Sequence, residues 1–351
     1  MDIAFLLGAG FSSAAGIPSS EEITREILFG SNISELESIR IFMKELAREV
    51  EIYYGEENHP VSYEDIYFML VQIYDDRMGE YENPALHLFL EATRKKIDAL
   101  GLAITPLDFI IECKRYISQK VEEMVRRNRT CLGGLSIISS AFKDKRLAKI
   151  DLFTLNHDLL IENYISEQQE IVADGFSKVD EDWSEWRIHL LQSSGIRARL
   201  VKLHGSVDWY HDKNSDGTHV VKKPLRPNRY IREMGEPLIL IGTFNKILGY
   251  STWFFHDLYC LWSNILRGSQ ALVVMGYSFR DKGINTRLIE LIQQEKTHKM
   301  VVIHPDPESL KQIMRNAVSK LFDNQSYKSQ LDVIAKRVEC VSWEEIAANL
   351  K

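Results

Sequence analysis

Gly8-Ala9-Gly10 closes a short apolar run, Ile3 to Leu7, and is the first place in the chain where residue type and spacing point to chemistry. Glycines directly after a buried strand let the chain turn tightly and bring backbone N–H groups against a phosphate at a helix start. The turn departs from the dehydrogenase fingerprint: Ser13 stands where the third glycine belongs, and no acidic residue closes a second strand about 20 residues on. Hydride transfer is therefore disfavoured, and the turn alone says no more than phosphate near a strand end. Asn156 and Asp158 follow the apolar run DLFTL (151–155). They read either as caps of the next helix or as site groups. His204, before Gly205, reads either as a turn histidine satisfied by backbone or as a base that titrates near neutrality. His157 lies between Asn156 and Asp158 on an extended strand end, faces away from both, and reads as structural. The histidines show no HExxH spacing and the four cysteines, Cys113, Cys131, Cys260 and Cys340, no CxxC pair. Metal binding is unsupported and a cysteine zinc ribbon is excluded.

Taken together, these residues resemble a family. Gly8-Ala9-Gly10-Phe11-Ser12 followed by Gly16-Ile17-Pro18 resembles the GAGxSxxxGIP signature of sirtuins. Thr154-Leu155-Asn156-His157-Asp158 is similar to the sirtuin TQNxD, Leu203-His204-Gly205 to its HG element, and Gly276-Tyr277-Ser278 stands in place of GTS. The closer likeness is to the SIR2-like domains of bacterial antiphage defence systems. It is carried by SYEDIYFML (62–70), ADGF (173–176), KLHGSVDW (202–209) and GYSFRDKGIN (276–285). Two departures separate the chain from protein deacylases. The zinc-ribbon cysteines are missing, and Ser19-Ser20 replaces the aromatic-arginine pair after GIP, which puts an acyl-lysine channel in doubt.

The resemblance implies an α/β, Rossmann-like sirtuin fold with a mostly parallel sheet, a large helical insertion and no zinc ribbon. It implies NAD+ as substrate, cleaved to nicotinamide and ADP-ribose without a metal. His204 would be the general base and Asn156 would hold a water or a ribose hydroxyl. Asp158 would accept from the nicotinamide amide, with Ile17 packing nearby. Gly8, Ala9, Gly10, Ser12, Gly276 and Ser278 would hold the phosphates and their surroundings, and Asn285, His304 and Asp306 the adenosine half. NAD-dependent deacylation and a non-catalytic sensor of NAD or an ADP-ribose derivative are the competing readings. As a defence effector the chain would act in abortive infection, as a homo-oligomer or with a partner such as a HerA-type ATPase or a short Argonaute.

These side chains need a scaffold, and hydrophobic spacing supplies one. Strands are expected at Asp2 to Leu7, Asp151 to Leu155, Ala198 to Leu203, Pro237 to Ile241, Ala271 to Met275 and, last, Lys299 to Ile303. A helix over Ser19 to Leu28 opens with a Ser19–Glu22 capping box. Residues 33–150 read almost wholly as helix, an insertion within one domain spanning 1–351. Another helix is expected over Trp253 to Gly268. Residues 169–235 read as loops and small strands near a site. There Trp183, Trp186, Trp209 and Tyr210 read as core or pocket wall ahead of base stacking.

Composition bounds the rest. With 45% hydrophobic and 26% charged residues in 351, the chain is ordinary globular protein. A net charge of -7 argues against a nucleic-acid-coating surface. The basic stretch from Lys222 to Arg232 reads as a solvated loop. No apolar run approaches the roughly 20 residues that span a bilayer, and the N-terminus lacks the basic start of a signal peptide. Scattered thiols fit the reducing cytoplasm.

Overall fold

The structure is a computed structural model. It describes residues 1–30, 37–54, 60–80, 84–100, 104–179, 183–193, 195–214, 217–223, 235–242, 246, 250, 253–294, 297–308, 310 and 329–350. The described residues form two units: residues 1–19, 125–240 and 246–351 make the first, and residues 20–124 with 241–245 the second.

The strands of the first unit are, in chain order, β1 (Asp2–Leu7), β2 (Lys149–Thr154), β3 (Phe176–Lys178), β4 (Ser184–Trp186), β5 (Ala198–Lys202), β6 (Trp209–Asn214), β7 (Gly217–Lys222), β8 (Ala271–Met275), β9 (Lys299–Ile303) and β10 (Leu331–Ile334). Six of them form one sheet in the order β10-β9-β8-β1-β2-β5. Every pairing in it is parallel. Apolar runs of this kind are stable as strands only if both faces are covered. Both are. Side-chain alternation sends Ile3, Phe5 and Leu7 of β1 into one hydrophobic cluster, and Ala4 and Leu6 into another. The first cluster is closed by helices Leu135–Lys143, Leu160–Glu167 and Trp343–Asn349. The second is closed by helices Trp253–Gly268 and Lys282–Gln294.

Numbered along the chain, the six parallel strands lie in the order 3-2-1-4-5-6 of doubly wound dinucleotide-binding folds. In such sheets the crevice for ligands opens beyond the carboxyl ends of the strands, where the winding reverses. Here the reversal falls between β1 and β8. Register then aligns the exits: Leu7 pairs with Thr154 and Met275, Thr154 with Lys202, and Met275 with Ile303. Five neighbouring strands therefore release their chains along one edge.

Two strand expectations differ. Pro237 to Ile241 forms no strand but an isolated bridge, Gly205 to Ile239. Pro237 has no N–H to give a ladder. The segment's hydrogen bonds go instead to the loop after β5, with Leu240 N–H on the His204 carbonyl and Ser206 N–H on the Leu238 carbonyl. Lys299 to Ile303 is not the last strand, because β10 pairs beside β9. β10 is an edge strand whose Asp332 and exposed Val333 blur the apolar pattern. The short strands β3-β4-β7-β6 make a separate antiparallel sheet. Around it Phe176, Trp186, Trp209 and Phe254 pack at tilted and edge-on angles with ring centroids 5.1–6.2 Å apart.

The second unit is helical, with Ser20–Phe29, Glu37–Tyr54, Tyr63–Met78, His87–Ala99 and most of Pro106–Val125. Amphipathic spacing buries Ile23, Ile27, Met43, Leu46, Ile66 and Ile117. Tyr116 donates to the Ile27 carbonyl (3.1 Å) and the Tyr63 N–H to Thr24 Oγ1 (2.9 Å). Ser62 caps Tyr63–Met78 in a complete box, its hydroxyl accepting from the Asp65 N–H while Asp65 accepts from the Ser62 N–H. Ser62→Ala should cost about 1 kcal/mol in urea unfolding; a loss below a few tenths would show that the cap does not act on stability.

No described helix is long and apolar enough to cross a membrane. The four cysteines are free.

Candidate active site

Two glycine turns meet where the winding reverses. The Gly8 N–H donates to the Met275 carbonyl (3.0 Å) and the Gly10 N–H to the Gly276 carbonyl (2.8 Å). A Cβ on Gly8 would lie 2.6 Å from the Gly276 oxygen. Glycine is therefore required first for backbone to approach backbone, and these two N–H groups serve the β8 turn. Ala9 and Gly10 are exposed, while Gly8 is buried.

Ser12, in the short helix Ala9–Ser13, is buried and joins the β1 turn to the β2 exit. Asn156 Nδ2 donates to the Gly8 carbonyl (2.9 Å) and to Ser12 Oγ (2.8 Å). The Ser12 side chain is in turn hydrogen-bonded to the Asp158 carboxylate. Asp158 Oδ1 also accepts from the Leu160 N–H (2.9 Å), so the capping role open in the sequence is filled by Asp158 as part of this cluster. Burial pushes the Asp158 carboxyl up, and the Lys202 charge with the Ser12 hydrogen bond works against that rise. Lys202 is itself buried, with its ammonium on the Asp158 carbonyl oxygen and on Glu162 Oε1 (2.7 Å). Ile17 is buried beside the cluster, its N–H on the Ser12 carbonyl (3.1 Å). With Leu159, Leu160, Arg126, Arg127 and Arg129 it lines an open cleft of about 550 Å³.

His204 follows β5 and is buried. Its Nε2 lies 2.6 Å from the Tyr250 hydroxyl and 3.1 Å from Asp281 Oδ2, and Tyr250 donates to the same Oδ2 at 2.9 Å. Asp281 opens helix Lys282–Gln294, its Oδ1 accepting from the Ile284 N–H (3.1 Å). Burial alone would raise the Asp281 carboxyl. The hydrogen bond and charge of His204, the Lys246 charge and the Ile284 N–H outweigh it and hold the group at about 2. The folded value lies below the unfolded one, near 3.9, so the stabilisation is present above about pH 4 and is lost as pH falls toward 2. The stability gap between wild type and Asp281→Asn should therefore narrow by about 2 kcal/mol between pH 5 and pH 2. Urea unfolding of both proteins across that range measures it, and a constant gap would contradict the assignment.

His157 is buried with its ring 6.3 Å from that of His204. Burial, then the charges of His204, Lys246 and Lys202, push its pKa well down and keep it neutral.

On the β8 side, Gly276 has φ +64° and Phe279, a bulky residue, φ +55°. This unusual backbone is held from within. Asn285 Nδ2 donates to the Phe279 carbonyl (2.7 Å) and Asn285 Oδ1 accepts from the Tyr277 hydroxyl (2.8 Å). Asn285 thus shapes the turn, and Ser278 is left exposed upon it. His304 and Asp306 follow β9 at the same edge, Asp306 N–H donating to His304 Nδ1 (3.1 Å). The aligned exits gather the β1, β2, β5 and β8 residues into one region, with His304 and Asp306 farther along the sheet edge. Lys222 is paired with Asp174 (2.7 Å). Arg226, Arg229 and Arg232 lie outside the described residues.

Sequence reasoning passed over Tyr250, Asp281 and Lys202 as site residues. Lys202 and Asp281 stood inside the family-like stretches KLHGSVDW and GYSFRDKGIN without being singled out, and Tyr250 carried no signal of its own. Among the described residues no three His, Cys, Asp or Glu side chains are placed to hold a metal ion.

A model of the SIR2-like domain matches residues 151–326. The chain belongs to the SIR2-like domain family. Solved structures that it resembles include one described as the structural basis for the mechanism and regulation of Sir2 enzymes, at 11% identity and a TM-score of 0.43, covering 99% of this chain and 92% of that one. A Sir2 homologue in complex with NAD gives 13% identity and a TM-score of 0.39, covering 99% and 90%. No curated protein matches the chain. The SIR2-like assignment rests on the domain match.

Proposed function

We propose that this SIR2-like chain is an NAD+ glycohydrolase, converting NAD+ and water to nicotinamide, ADP-ribose and a proton. The observation that carries the reading is the meeting of the Gly8 turn, Ser12, Asn156 and Asp158 beside the β1–β8 reversal, with a buried, carboxylate-bound His204 on the next strand exit. The bond to be broken joins a ribose carbon to a pyridinium nitrogen. Nicotinamide leaves as a neutral molecule and needs no general acid. What the reaction needs is an oriented carboxamide, exclusion of bulk water and a base for the incoming water. Asp158 is suited to accept from the carboxamide, Asn156 to orient the water or a ribose hydroxyl, and His204 to take the proton. In this reading the exposed Ala9, Gly10 and Ser278 would meet the pyrophosphate, with the Asn285, His304 and Asp306 region toward the adenosine.

In this reading, taken from the likeness to antiphage SIR2-like domains, the activity would serve abortive infection in the cytoplasm. Unchecked NAD+ loss would harm the host, so activation falls to assembly or a partner such as a HerA-type ATPase or a short Argonaute. The single-domain organisation, with residues 33–150 as its helical insertion, belongs to the same reading.

Incubating the purified protein with NAD+ and quantifying nicotinamide and ADP-ribose tests the proposal. Stoichiometric release of both, unchanged by an acetylated peptide, is expected. Deacetylation of the peptide would replace it with a deacylase. Saturable NAD+ binding without release, both for the chain alone and for its assembled complex, would make it a sensor.

A further inference from the structure

The geometry points to Asp281, together with Tyr250, as the pair that positions His204 and fixes its proton on Nε2. This inference rests on the proposed NAD+ cleavage for its catalytic meaning, and on the side-chain network alone for its structural one.

The Asp281 carboxylate is acceptor-only when ionised. One oxygen is occupied by the Ile284 N–H at the start of its helix, the other by the Tyr250 hydroxyl at 2.9 Å. His204 Nε2 approaches that second oxygen to 3.1 Å. A nitrogen lone pair would be repelled there, so Nε2 bears the hydrogen. Its 2.6 Å contact with Tyr250 is then donated to the phenol oxygen, whose own proton is directed at Asp281. In a neutral imidazole with Nε2–H, the basic lone pair is on Nδ1.

The network is also rigid. Tyr250 stacks on Tyr259 with ring centroids 4.7 Å apart, and Tyr259 donates to the Gly283 carbonyl (2.7 Å). Tyr277 donates to the Asp281 carbonyl (3.1 Å). A carboxylate held in this way orients the ring and stabilises the imidazolium as it forms. Charged or titratable groups around the pair include His157, which interacts with His204, and Lys246, which acts on both Asp281 and His157, with Lys202 also acting on His157. The Asp281 charge favours the imidazolium, just as the His204 charge lowers the Asp281 carboxyl.

Ring nitrogen spectra of histidine-labelled protein test this without turnover, His204→Gln identifying the His204 signals. Wild type should show the Nε2–H tautomer. Asp281→Asn should lower the apparent pKa of His204 by about one pH unit or more, because an opposite charge is removed. Tyr250→Phe, which keeps the helix cap, should raise it, because Asp281 then loses a donor that disperses its charge. In the nicotinamide assay, Asp281→Asn should lose about 10²-fold or more in kcat with less than about a threefold change in KM. The acid limb of its pH profile should move down with the His204 titration. An Nδ1–H tautomer in wild type, or shifts of the same sign in both variants, would overturn the inference. Normal titrations in a protein that never releases nicotinamide would refute the hydrolase reading and leave the positioning network standing.

Discussion

The His204→Ala substitution is expected to slow nicotinamide release by about 10²–10⁴-fold in kcat, the usual contribution of a positioned base. That corresponds to about 3–5 kcal/mol of barrier. KM for NAD+ should change little, because the groups assigned to the phosphates and the carboxamide lie on the β1, β2 and β8 exits. The substitution also removes one partner of a buried carboxylate. Asp281 would keep the Tyr250 hydroxyl and the Ile284 N–H. Thermal unfolding must therefore accompany the kinetics, so that lost activity in a folded protein is separated from loss of fold. Asn156→Ala should also depress kcat, and in addition loosen the β1 turn, since its amide holds both the Gly8 carbonyl and Ser12. A folded His204→Ala protein within tenfold of wild type would remove His204 from the mechanism.

Gly276→Ala should be among the most destabilising single changes in the chain. At φ +64° an alanine carries a backbone strain of about 1–2 kcal/mol. Its Cβ would also lie 2.1 Å from the Phe11 nitrogen and 2.5 Å from the Gly10 carbonyl carbon. Both are backbone atoms, so no rotamer change relieves the clash, and the two glycine turns must part. A combined loss of about 3–5 kcal/mol is expected in urea unfolding. Gly79 supplies the control. It has φ +73°, and an added Cβ would meet nothing within 4 Å. Gly79→Ala should therefore show the strain alone, at about 1 kcal/mol. Equal losses at the two positions would mean that the turns do not depend on their close contact.

The same contact marks where reading the residues in order stops being sufficient. The GAG turn reads as a phosphate cradle, and in the folded chain two of its N–H groups are taken by the β8 turn. Local sequence carries the need for glycine but not its reason, because the partner lies more than 260 residues away. Asn285 is a parallel case: expected near the adenosine half, it makes both of its amide bonds within its own turn.

What the sequence determined by itself are the features with short-range causes. Apolar runs bounded by glycine or polar residues located the strands that carry the site. The ordered motifs that hold Gly8, Ser12, Ile17, Asn156, Asp158 and His204 were enough to suggest the family, which the SIR2-like domain match over residues 151–326 bears out. The edge strand β10 and the Pro237 segment were misread, since an exposed edge and a loop-paired segment do not follow the buried pattern. Tertiary structure alone decided strand order, the aligned register that brings the strand exits together, and the Asp281–Tyr250 hold on His204. Side chains 31 to 77 residues apart met because burial in a common core made an unpaired histidine or carboxylate costly and a closed network favourable.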